Sequence, residues 1–441
     1  MDYQALYENA THQMEADAAK CVETGKRVVM GYTSDLDVVL EWSGEAFSRI
    51  ARDFLAEEPR YAAGDRIDSM EDFARIVLHF LAGGAGGEID IASPEVCDYL
   101  EQHFETAYAL GGTCAQGAAA LGAVGFPVTA YVTDRSKAVC ERMDRAGMRL
   151  YANGRVAPLA ECASGELPVK HIILQYPKDY QLTVRGRTYT APVSNRLILD
   201  FDTIHKLLPI EPGFLTWCEE NARNIYALCV SGFNGILDPA ILAKRLDELT
   251  RHYAAFRAQS PETPIYLEGA YYLNPEVKDL AFEALARSID ILGMNEEELV
   301  EHAARFGLET DKEDLASILK SLDCLLARYP AKGIVMHTKD YSMYYGAELP
   351  GVDFAKGLAL GNLLSGTRAR TGRYGTRKDC LETLKTLPLS EMGLKMAAAL
   401  ERADTFGRFV SLVPTRYMEH PKYTIGLGDT FTAGMLTAFI R

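Results

Sequence analysis

Short apolar runs recur along the chain, separated by longer segments with helical periodicity. The runs are RVVMGY (Arg27–Tyr32), VTAYV (Val128–Val132), IYALCVSGF (Ile225–Phe233), PIYLEGAYY (Pro264–Tyr272), IDILGMN (Ile289–Asn295), GIVMHT (Gly333–Thr338) and FVSLVP (Phe409–Pro414). Near-continuous apolar runs of this length are typical of strands buried on both faces. Between them, Asp238-Pro239 combines an N-cap residue with proline at the first helical position and predicts a helix to about Gln259. The alternation predicts an α/β fold with a mostly parallel sheet flanked by helices.

Two regions depart from this alternation. Residues 41–105 are mostly helical in pattern and are interrupted by a glycine-rich stretch at 83–87. In residues 171–202, the segments QLTV and RTYTA flank Arg185-Gly186, which predicts a hairpin rather than a strand–helix–strand unit. We therefore expect a small α/β domain inserted into a large one. The expected large domain comprises residues 1–36, 110–146 and 200–441, and the expected small domain comprises residues 37–109 and 147–199.

Composition narrows the class of protein. The 441 residues include 61 acidic and 46 basic side chains, a net charge of −15, which argues against a general nucleic-acid binder. No stretch approaches the ~18 apolar residues of a spanning helix, and the polar N-terminus does not resemble a signal peptide. The nine cysteines include no C-x-x-C pair, as expected for reduced thiols. We expect a cytoplasmic monomer or small homo-oligomer that acts on small molecules, without nucleic-acid or membrane partners.

The strongest chemical signal lies at the C-terminus, where TIGLGD (424–429) precedes an apolar helical pattern that reaches Ile440. Glycines let the backbone approach a bound group, and the N-terminus of the following helix offers N–H donors to an anion. Beside such a site, Asp429 is well placed to take a proton from a hydroxyl that attacks phosphorus. The same residues also fit a tight turn with Asp429 as the helix N-cap, so this motif alone does not decide between the two interpretations.

Two other segments are equally ambiguous. Asn295 and Glu298 share a helix face that could organise Mg²⁺ through its waters, but the same spacing forms a capping box. Arg196 follows Asn195 ahead of an apolar strand, where an arginine can clamp phosphate oxygens or remain a solvated surface residue.

Acidic residues near two predicted loops could accept hydrogen bonds from sugar hydroxyls or could simply be solvated. They are Asp35, Asp37 and Glu88. No Ser, His or Cys arrangement resembles a catalytic triad. Three histidines stand in apolar surroundings and are predicted to be core or supporting residues rather than metal ligands: His79, His171 and His337.

Taken in order, these motifs resemble the ADP-dependent sugar kinases, the glucokinase and phosphofructokinase family of the ribokinase-like superfamily. The resemblance extends from GYTSDLD (31–37) to TIGLGDTFTAG (424–434). The intervening segments that carry it are GGTCAQGAAALGAVG (111–125), HIILQYPKDY (171–180), APVSNRLI (191–198), SGFN (231–234), GMNEEEL (293–299), VMHTKDYSMYYG (335–346) and VPTRYMEHPKYTIGLGD (413–429).

The resemblance implies a lid that closes over the sugar, ADP as phosphoryl donor and Mg²⁺ as cofactor. It implies that Asp429 is the catalytic base and that Gly426, Leu427 and Gly428 form the anion hole. The implied nucleotide-binding residues are Arg196, Asn195, Tyr341, Met418 and His337. The implied sugar-binding residues are Asp35, Asp37, Glu88 and Gly112. The implied metal-binding residues are Glu268, Glu298 and Asp429.

The sequence departs from the family on the sugar side. Thr33 and Asp35 stand where the family usually has Asn, and Thr113 replaces a usual Asn or Gln. Tyr266 replaces the histidine of the family's HxE motif, while Glu268 keeps its carboxylate. An Asn-to-Asp change removes donors and adds charge, which disfavours an anionic sugar phosphate unless a cation offsets it. The resemblance therefore leaves the acceptor open.

Glu88 favours glucose, because the glucose-preferring members of the family carry glutamate there. Fructose 6-phosphate stays an alternative, since its phosphate could be bound by Lys170, Lys178 and Arg185. A nucleotide- or sugar-binding protein with weak or no kinase activity is a further alternative, although the catalytic positions persist. An ATP-using ribokinase-like kinase for a nucleoside or ketose is disfavoured by the SNR and MHTKDY segments.

Overall fold

The computed structural model describes residues 1–62 and 64–441 and contains two main β-sheets. The strands are β1 (Arg27–Tyr32), β2 (Asp35–Leu40), β3 (Gly87–Asp90), β4 (Thr106–Gly111), β5 (Val128–Val132), β6 (Met148–Ala152), β7 (Arg155–Ala157), β8 (Lys170–Tyr176), β9 (Gln181–Val184), β10 (Arg187–Thr190), β11 (Asn195–Phe201), β12 (Ile225–Val230), β13 (Ile265–Glu268), β14 (Ile291–Asn295), β15 (Gly333–His337), β16 (Tyr341–Gly346) and β17 (Phe409–Pro414).

Helices cover both sheets. They are α1 (Tyr3–Thr24), α2 (Gly44–Phe54), α3 (Met70–Gly83), α4 (Pro94–His103), α5 (Thr113–Ala123), α6 (Lys137–Met143), α7 (Leu159–Cys162), α8 (Pro212–Glu220), α9 (Pro239–Gln259), α10 (Pro275–Leu285), α11 (Glu296–Arg305), α12 (Leu315–Arg328), α13 (Phe354–Thr371), α14 (Arg377–Thr386), α15 (Glu391–Leu400) and α16 (Leu427–Met435). Short 3₁₀ turns occupy Ala222–Asn224, Phe233–Gly235 and Leu436–Phe439. None of the helices within residues 1–62 and 64–441 is long and apolar enough to cross a membrane.

The large sheet has ten strands in the order β17-β16-β15-β14-β13-β12-β1-β5-β6-β7. The seven strands from β15 to β6 in this order pair in parallel, and β7, β16 and β17 add antiparallel edges. Along β1, Val28 and Met30 belong to one hydrophobic core and Val29 to the other, so the strand is buried on both faces. This arrangement confirms the predicted α/β class, and each of the seven apolar runs contains a strand.

The small sheet has five strands in the order β3-β11-β8-β2-β4, and β9 and β10 form the predicted hairpin beside it. The expectation that Asp35 and Asp37 lie near a loop is wrong, because both residues belong to strand β2, which begins at Asp35. Asp35 and Asp37 alternate with the buried Leu36 and Val38, as the pleat of a strand requires. Carboxylates and core side chains therefore occupy opposite faces of β2.

The expected boundary of the small domain is wrong after residue 146. β6 pairs in parallel with β5, and β7 pairs with β6, so both strands extend the large sheet. Met148 and Leu150 on β6 are fully buried, which anchors this segment in the large core. The small sheet instead resumes at β8.

Candidate active site

A cavity of about 330 Å³ lies between the small sheet and the loops at one edge of the large sheet. The small sheet contributes residues at every second position, as expected for one face of a pleated sheet. They are Asp35, Asp37, Glu88, Asp90, His171, Ile173, Arg196, Ile198 and Asp200. Helix α5 and the start of α16 contribute Gln116, Gly426 and Asp429 to the same cavity. We call it the central cavity.

The strand register brings charged side chains side by side across the small sheet. Asp37 on β2 pairs with His171 on β8, which pairs with Asp200 on β11, which pairs with Asp90 on β3. Like charges on neighbouring strands are destabilising, so the row needs positive charge within it. Burial alone would lower the pKa of His171, but Asp35, Asp200 and Asp37 outweigh burial and raise that pKa to about 10. The carboxylate cluster therefore favours positive charge at the position of His171.

Two of the predicted sugar-binding carboxylates are held partly neutral by this crowding. Burial, reinforced by Asp35, raises the pKa of Asp37 to about 8. Burial, reinforced by Asp200, raises the pKa of Glu88 to about 7. Around neutral pH, these groups can therefore both donate and accept hydrogen bonds.

The predicted sugar-binding Gly112 occupies a backbone position that favours glycine. Its φ is +84°, and a Cβ atom there would lie 2.6 Å from the carbonyl oxygen of Thr33. Gly112 therefore lets the start of α5 approach the loop that precedes β2.

Asp429 lies in the first turn of α16 but does not cap that helix. The N-cap is Gly426, with φ of +65°, and Asp429 is three residues further on. The interpretation of Asp429 as an N-cap is therefore wrong, and its carboxylate is free to face the central cavity. Burial raises the pKa of Asp429 to about 6, against the opposing influence of Arg368 and the Thr113 hydroxyl. At neutral pH most Asp429 side chains are ionised, as a general base must be.

Three residues that the sequence analysis did not single out as functional hold Asp429 and its loop. The Gln116 Nε2 atom donates to Asp429 Oδ2 at 2.8 Å, and the Tyr374 hydroxyl donates to Gln116 Oε1 at 3.2 Å. The guanidinium of Arg368 lies 4.3 Å from the Tyr374 ring centroid and donates to Thr430 Oγ1 at 3.1 Å. Gln116 lies within the GGTCAQG segment, whereas no sequence pattern marks Arg368 or Tyr374.

The two predicted metal-binding glutamates lie next to each other beside α16. Glu268 Oε1 is 3.0 Å from His337 Nε2, and Glu268 Oε2 accepts from the Thr432 hydroxyl at 2.8 Å. Glu298 Oε2 accepts from the Asn295 backbone N–H at 3.0 Å, so the predicted capping box is confirmed. Burial, reinforced by Glu268, raises the pKa of Glu298 to about 7, as expected for a buried carboxyl close to a second carboxylate.

The predicted nucleotide-binding residues are not gathered in one place. Arg196 lines the central cavity, whereas the Asn195 side chain donates to the Gly84 carbonyl at 3.0 Å and supports the glycine-rich stretch. Tyr341 lines a second cavity of about 270 Å³ with Glu296, Lys339 and Met392, among others. His337 contacts Glu268 rather than this second cavity, and Met418 lines neither cavity.

Neither His79 nor His171 belongs to the apolar core, so the expectation of a core position is wrong for both. His171 lines the central cavity instead of the apolar core, because strand β8 carries it on the charged face. His79 is exposed on α3.

The basic residues proposed for a sugar phosphate lie elsewhere. Lys170 pairs with Glu101 and Asp98, and the Arg185 side chain donates to the Ala56 carbonyl. Together with Lys178, they are absent from the lining of the central cavity.

Comparison with known proteins identifies a family. A model of the ADP-specific phosphofructokinase/glucokinase conserved region matches residues 26–438. The chain is 22% identical to an ADP-specific phosphofructokinase of Thermococcus kodakarensis, covering 94% of this chain and 96% of that protein. It is 23% identical to an ADP-dependent glucose/glucosamine kinase of Pyrococcus furiosus, covering 99% of this chain and 98% of that protein.

A solved structure shares the fold over the whole chain. The last common ancestor of ADP-dependent phosphofructokinases from Methanosarcinales superposes with a TM-score of 0.80 at 18% identity, covering 100% of this chain and 99% of that one. At this identity the likeness establishes the fold alone.

Proposed function

Because the chain belongs to the ADP-specific phosphofructokinase/glucokinase family, and is thus an ADP-dependent sugar kinase, we propose that its acceptor is an unphosphorylated hexose, with glucose preferred. The products would be AMP and a sugar phosphate. The observation that carries this choice is the charge of the central cavity. Seven carboxylate side chains line it, against one arginine, one lysine and two histidines.

The cavity's cations are largely engaged by its own carboxylates. Lys206 Nζ lies 2.6 Å from Asp90 Oδ1, and His171 lies between Asp35 and Asp200. Arg196 remains, and the resemblance assigns it to the nucleotide phosphates. The phosphate group of a sugar phosphate would therefore lie close to carboxylates whose negative charge is not fully offset. A neutral sugar instead offers hydroxyl groups to carboxylates that accept hydrogen bonds.

The proposed chemical step centres on Asp429. Its carboxylate takes the proton of the attacking hydroxyl as that oxygen approaches the β-phosphorus of ADP. The backbone N–H groups at the start of α16, from Gly426 to Gly428, would stabilise charge on the transferred phosphoryl group. Gln116 holds the carboxylate through its 2.8 Å hydrogen bond, which reduces the cost of orienting the base during reaction.

We propose that Mg²⁺ is held by Glu268, Glu298 and Asp429. Oxygen donors suit this hard cation. The pKa of Glu298 is raised beside Glu268, so a bound cation would stabilise the ionised form of both carboxylates. Because both glutamates already accept protein hydrogen bonds, contact through metal-bound water fits them best. When bound, the ion would offset charge on the phosphates. Tyr341 and its cavity are the proposed place for the adenine base.

The acceptor is tested by steady-state kinetics of AMP formation with glucose and with fructose 6-phosphate, at pH 6 and pH 8. We expect kcat/KM for glucose to exceed that for fructose 6-phosphate by tenfold or more at pH 8, since one like charge about 4 Å away costs ~1 kcal/mol in water and more where partly buried. Because the pKa of Glu88 is about 7, ionisation of Glu88 should make the preference for glucose larger at pH 8 than at pH 6.

The matched variants are Glu88→Gln, which removes one carboxylate from the central cavity, and Glu71→Gln, which neutralises an exposed glutamate on α3. Glu88→Gln should lower the preference for glucose and weaken its dependence on pH, whereas Glu71→Gln should behave as the parent enzyme. A parent enzyme that prefers fructose 6-phosphate would overturn the proposal.

A further inference from the structure

The central cavity contains donor atoms suited to a transition metal, at a place separate from the proposed Mg²⁺ site. Asp35, His171 and His205 each offer one ligand atom, and these atoms lie within 4.8 Å of one another. We propose that the three residues bind a divalent ion of the Zn²⁺ and Co²⁺ class. Imidazole ligands favour these ions, whereas Mg²⁺ prefers oxygen ligands. This site does not depend on which sugar the enzyme phosphorylates.

His205 has the surroundings of a metal-binding histidine. Its Nδ1 atom lies 2.9 Å from Asp202 Oδ2, and a carboxylate partner on one ring nitrogen fixes the tautomer that presents the other nitrogen to a metal. Asp202 is itself held by the backbone N–H groups of Ile204 and His205 at 2.9 and 2.8 Å. The remaining atom, His205 Nε2, has no hydrogen-bond partner in the described part of the chain, although His205 is only 3% exposed.

Asp35 and His171 provide further unpartnered atoms at the same place. Asp35 is 2% exposed, and its Oδ1 atom lies 3.2 Å from His171 Nδ1 without forming a well-aligned hydrogen bond. His171 Nε2 and Asp200 Oδ1 are 3.8 Å apart, and both lack a hydrogen-bond partner within residues 1–62 and 64–441. Buried polar atoms without partners are costly, so a cluster of them on potential ligands points to a cation that the protein binds.

A protonated His171 between Asp35 and Asp200 is the competing arrangement, because it would neutralise part of the cluster without a metal. It would leave His205 Nε2 unsatisfied, whereas a metal ion would satisfy all three residues together. His205 therefore distinguishes the two arrangements. All three side chains line the central cavity, and an ion that replaces the His171 proton would add one net positive charge, which leaves the seven carboxylates of the cavity in excess.

The test is titration of the full-length protein with Co²⁺ after transition metals have been removed on a chelating resin. Calorimetry and the visible absorption of Co²⁺ report binding independently of kinase activity. We expect one equivalent to bind, with His205→Asn weakening the affinity by at least 100-fold and Asp202→Asn weakening it by about 10- to 100-fold. Mg²⁺ at the same concentrations should not displace Co²⁺.

The matched control is His252→Asn. His252 is also buried, with Nδ1 2.7 Å from Glu219 Oε1 and Nε2 unpartnered in the described chain, but it lies on α9, outside the central cavity. This variant should bind Co²⁺ like the parent protein. Absence of Co²⁺ binding by the parent, or undiminished binding by His205→Asn, would overturn the proposal. If His205→Asn does not fold, undiminished binding by Asp202→Asn has the same consequence.

Discussion

At the scale of single residues, the ionisation of Asp429 depends on the groups around it. Burial raises its pKa to about 6, and the hydrogen bond from Gln116 favours the ionised form. Since the ionised form is the base, kcat/KM should rise with pH through about 6 and then level off. Gln116→Leu removes the donor, so we expect the midpoint of this rise to move to higher pH and the plateau to fall. A pH profile of kcat/KM measures both effects.

Tyr374→Phe is the control for Gln116. It removes the hydroxyl that donates to Gln116 Oε1 but leaves Gln116 beside Asp429, so the midpoint should move less than in Gln116→Leu. A midpoint that stays unchanged in Gln116→Leu would show that Gln116 does not act through the ionisation of Asp429.

The role of a residue could be predicted where its functional partners lie close to it in the sequence. Asp429 stands in a contiguous glycine motif, and Asn295 and Glu298 stand in a contiguous capping box, so their neighbourhoods could be predicted. Arg368 reaches the site through tertiary packing, and nothing near it in the sequence marks a partner. Asp202 and His205 are three residues apart and pair locally, which is a signal that could have been found.

At the scale of elements, Asp290 contacts three segments of the chain that belong to the large sheet or flank it. It is 2% exposed, it pairs with Arg257 on α9 at 2.9 Å and with Lys332 ahead of β15 at 2.7 Å, and it accepts from the N–H of Ile265 at the start of β13 at 2.9 Å. Asp290→Ala leaves these donors without their acceptor, so we expect a loss of about 3 kcal/mol in unfolding free energy. The midpoint of urea unfolding, followed by circular dichroism, measures this loss.

Asp247→Ala provides the comparison for Asp290. Asp247 pairs with Arg251 at 2.9 Å, but both side chains are more than 70% exposed, so the substitution should change stability by less than ~1 kcal/mol. Equal effects of the two substitutions would contradict the role assigned to Asp290.

The two sheets differ in how well the sequence predicts them. Strands of the large sheet are apolar on both faces and stand out as continuous runs. Strands β2, β8 and β11 alternate apolar residues with charged ones, as in Arg196, Ile198 and Asp200 facing the cavity. Charged residues on a strand usually indicate contact with solvent, so the alternation does not reveal that one face of the strand lines a cavity until the strand register is known.

At the scale of the whole molecule, the central cavity is completed by both sheets. The small sheet supplies the carboxylate row, and α16 beside the large sheet supplies Asp429. An acceptor bound to the small sheet would contact Asp429 only when the small sheet and α16 enclose it together. That enclosure also excludes water, which would compete with the acceptor for the phosphoryl group. The expected boundary after residue 146 could not be placed correctly from the sequence, because β6 resembles any other apolar strand and its pairing with β5 becomes evident only in the structure.

The most direct test of the account measures AMP formation from ADP and glucose by the parent enzyme and by Asp429→Asn. The parent should form AMP and a sugar phosphate in equal amounts. Asp429→Asn should lower kcat by about 10²- to 10⁴-fold, as expected for loss of a general base, while calorimetry shows that ADP still binds. Equal turnover by the two proteins would contradict the assignment of Asp429, and absence of ADP-dependent transfer to glucose by the parent would contradict the proposed acceptor.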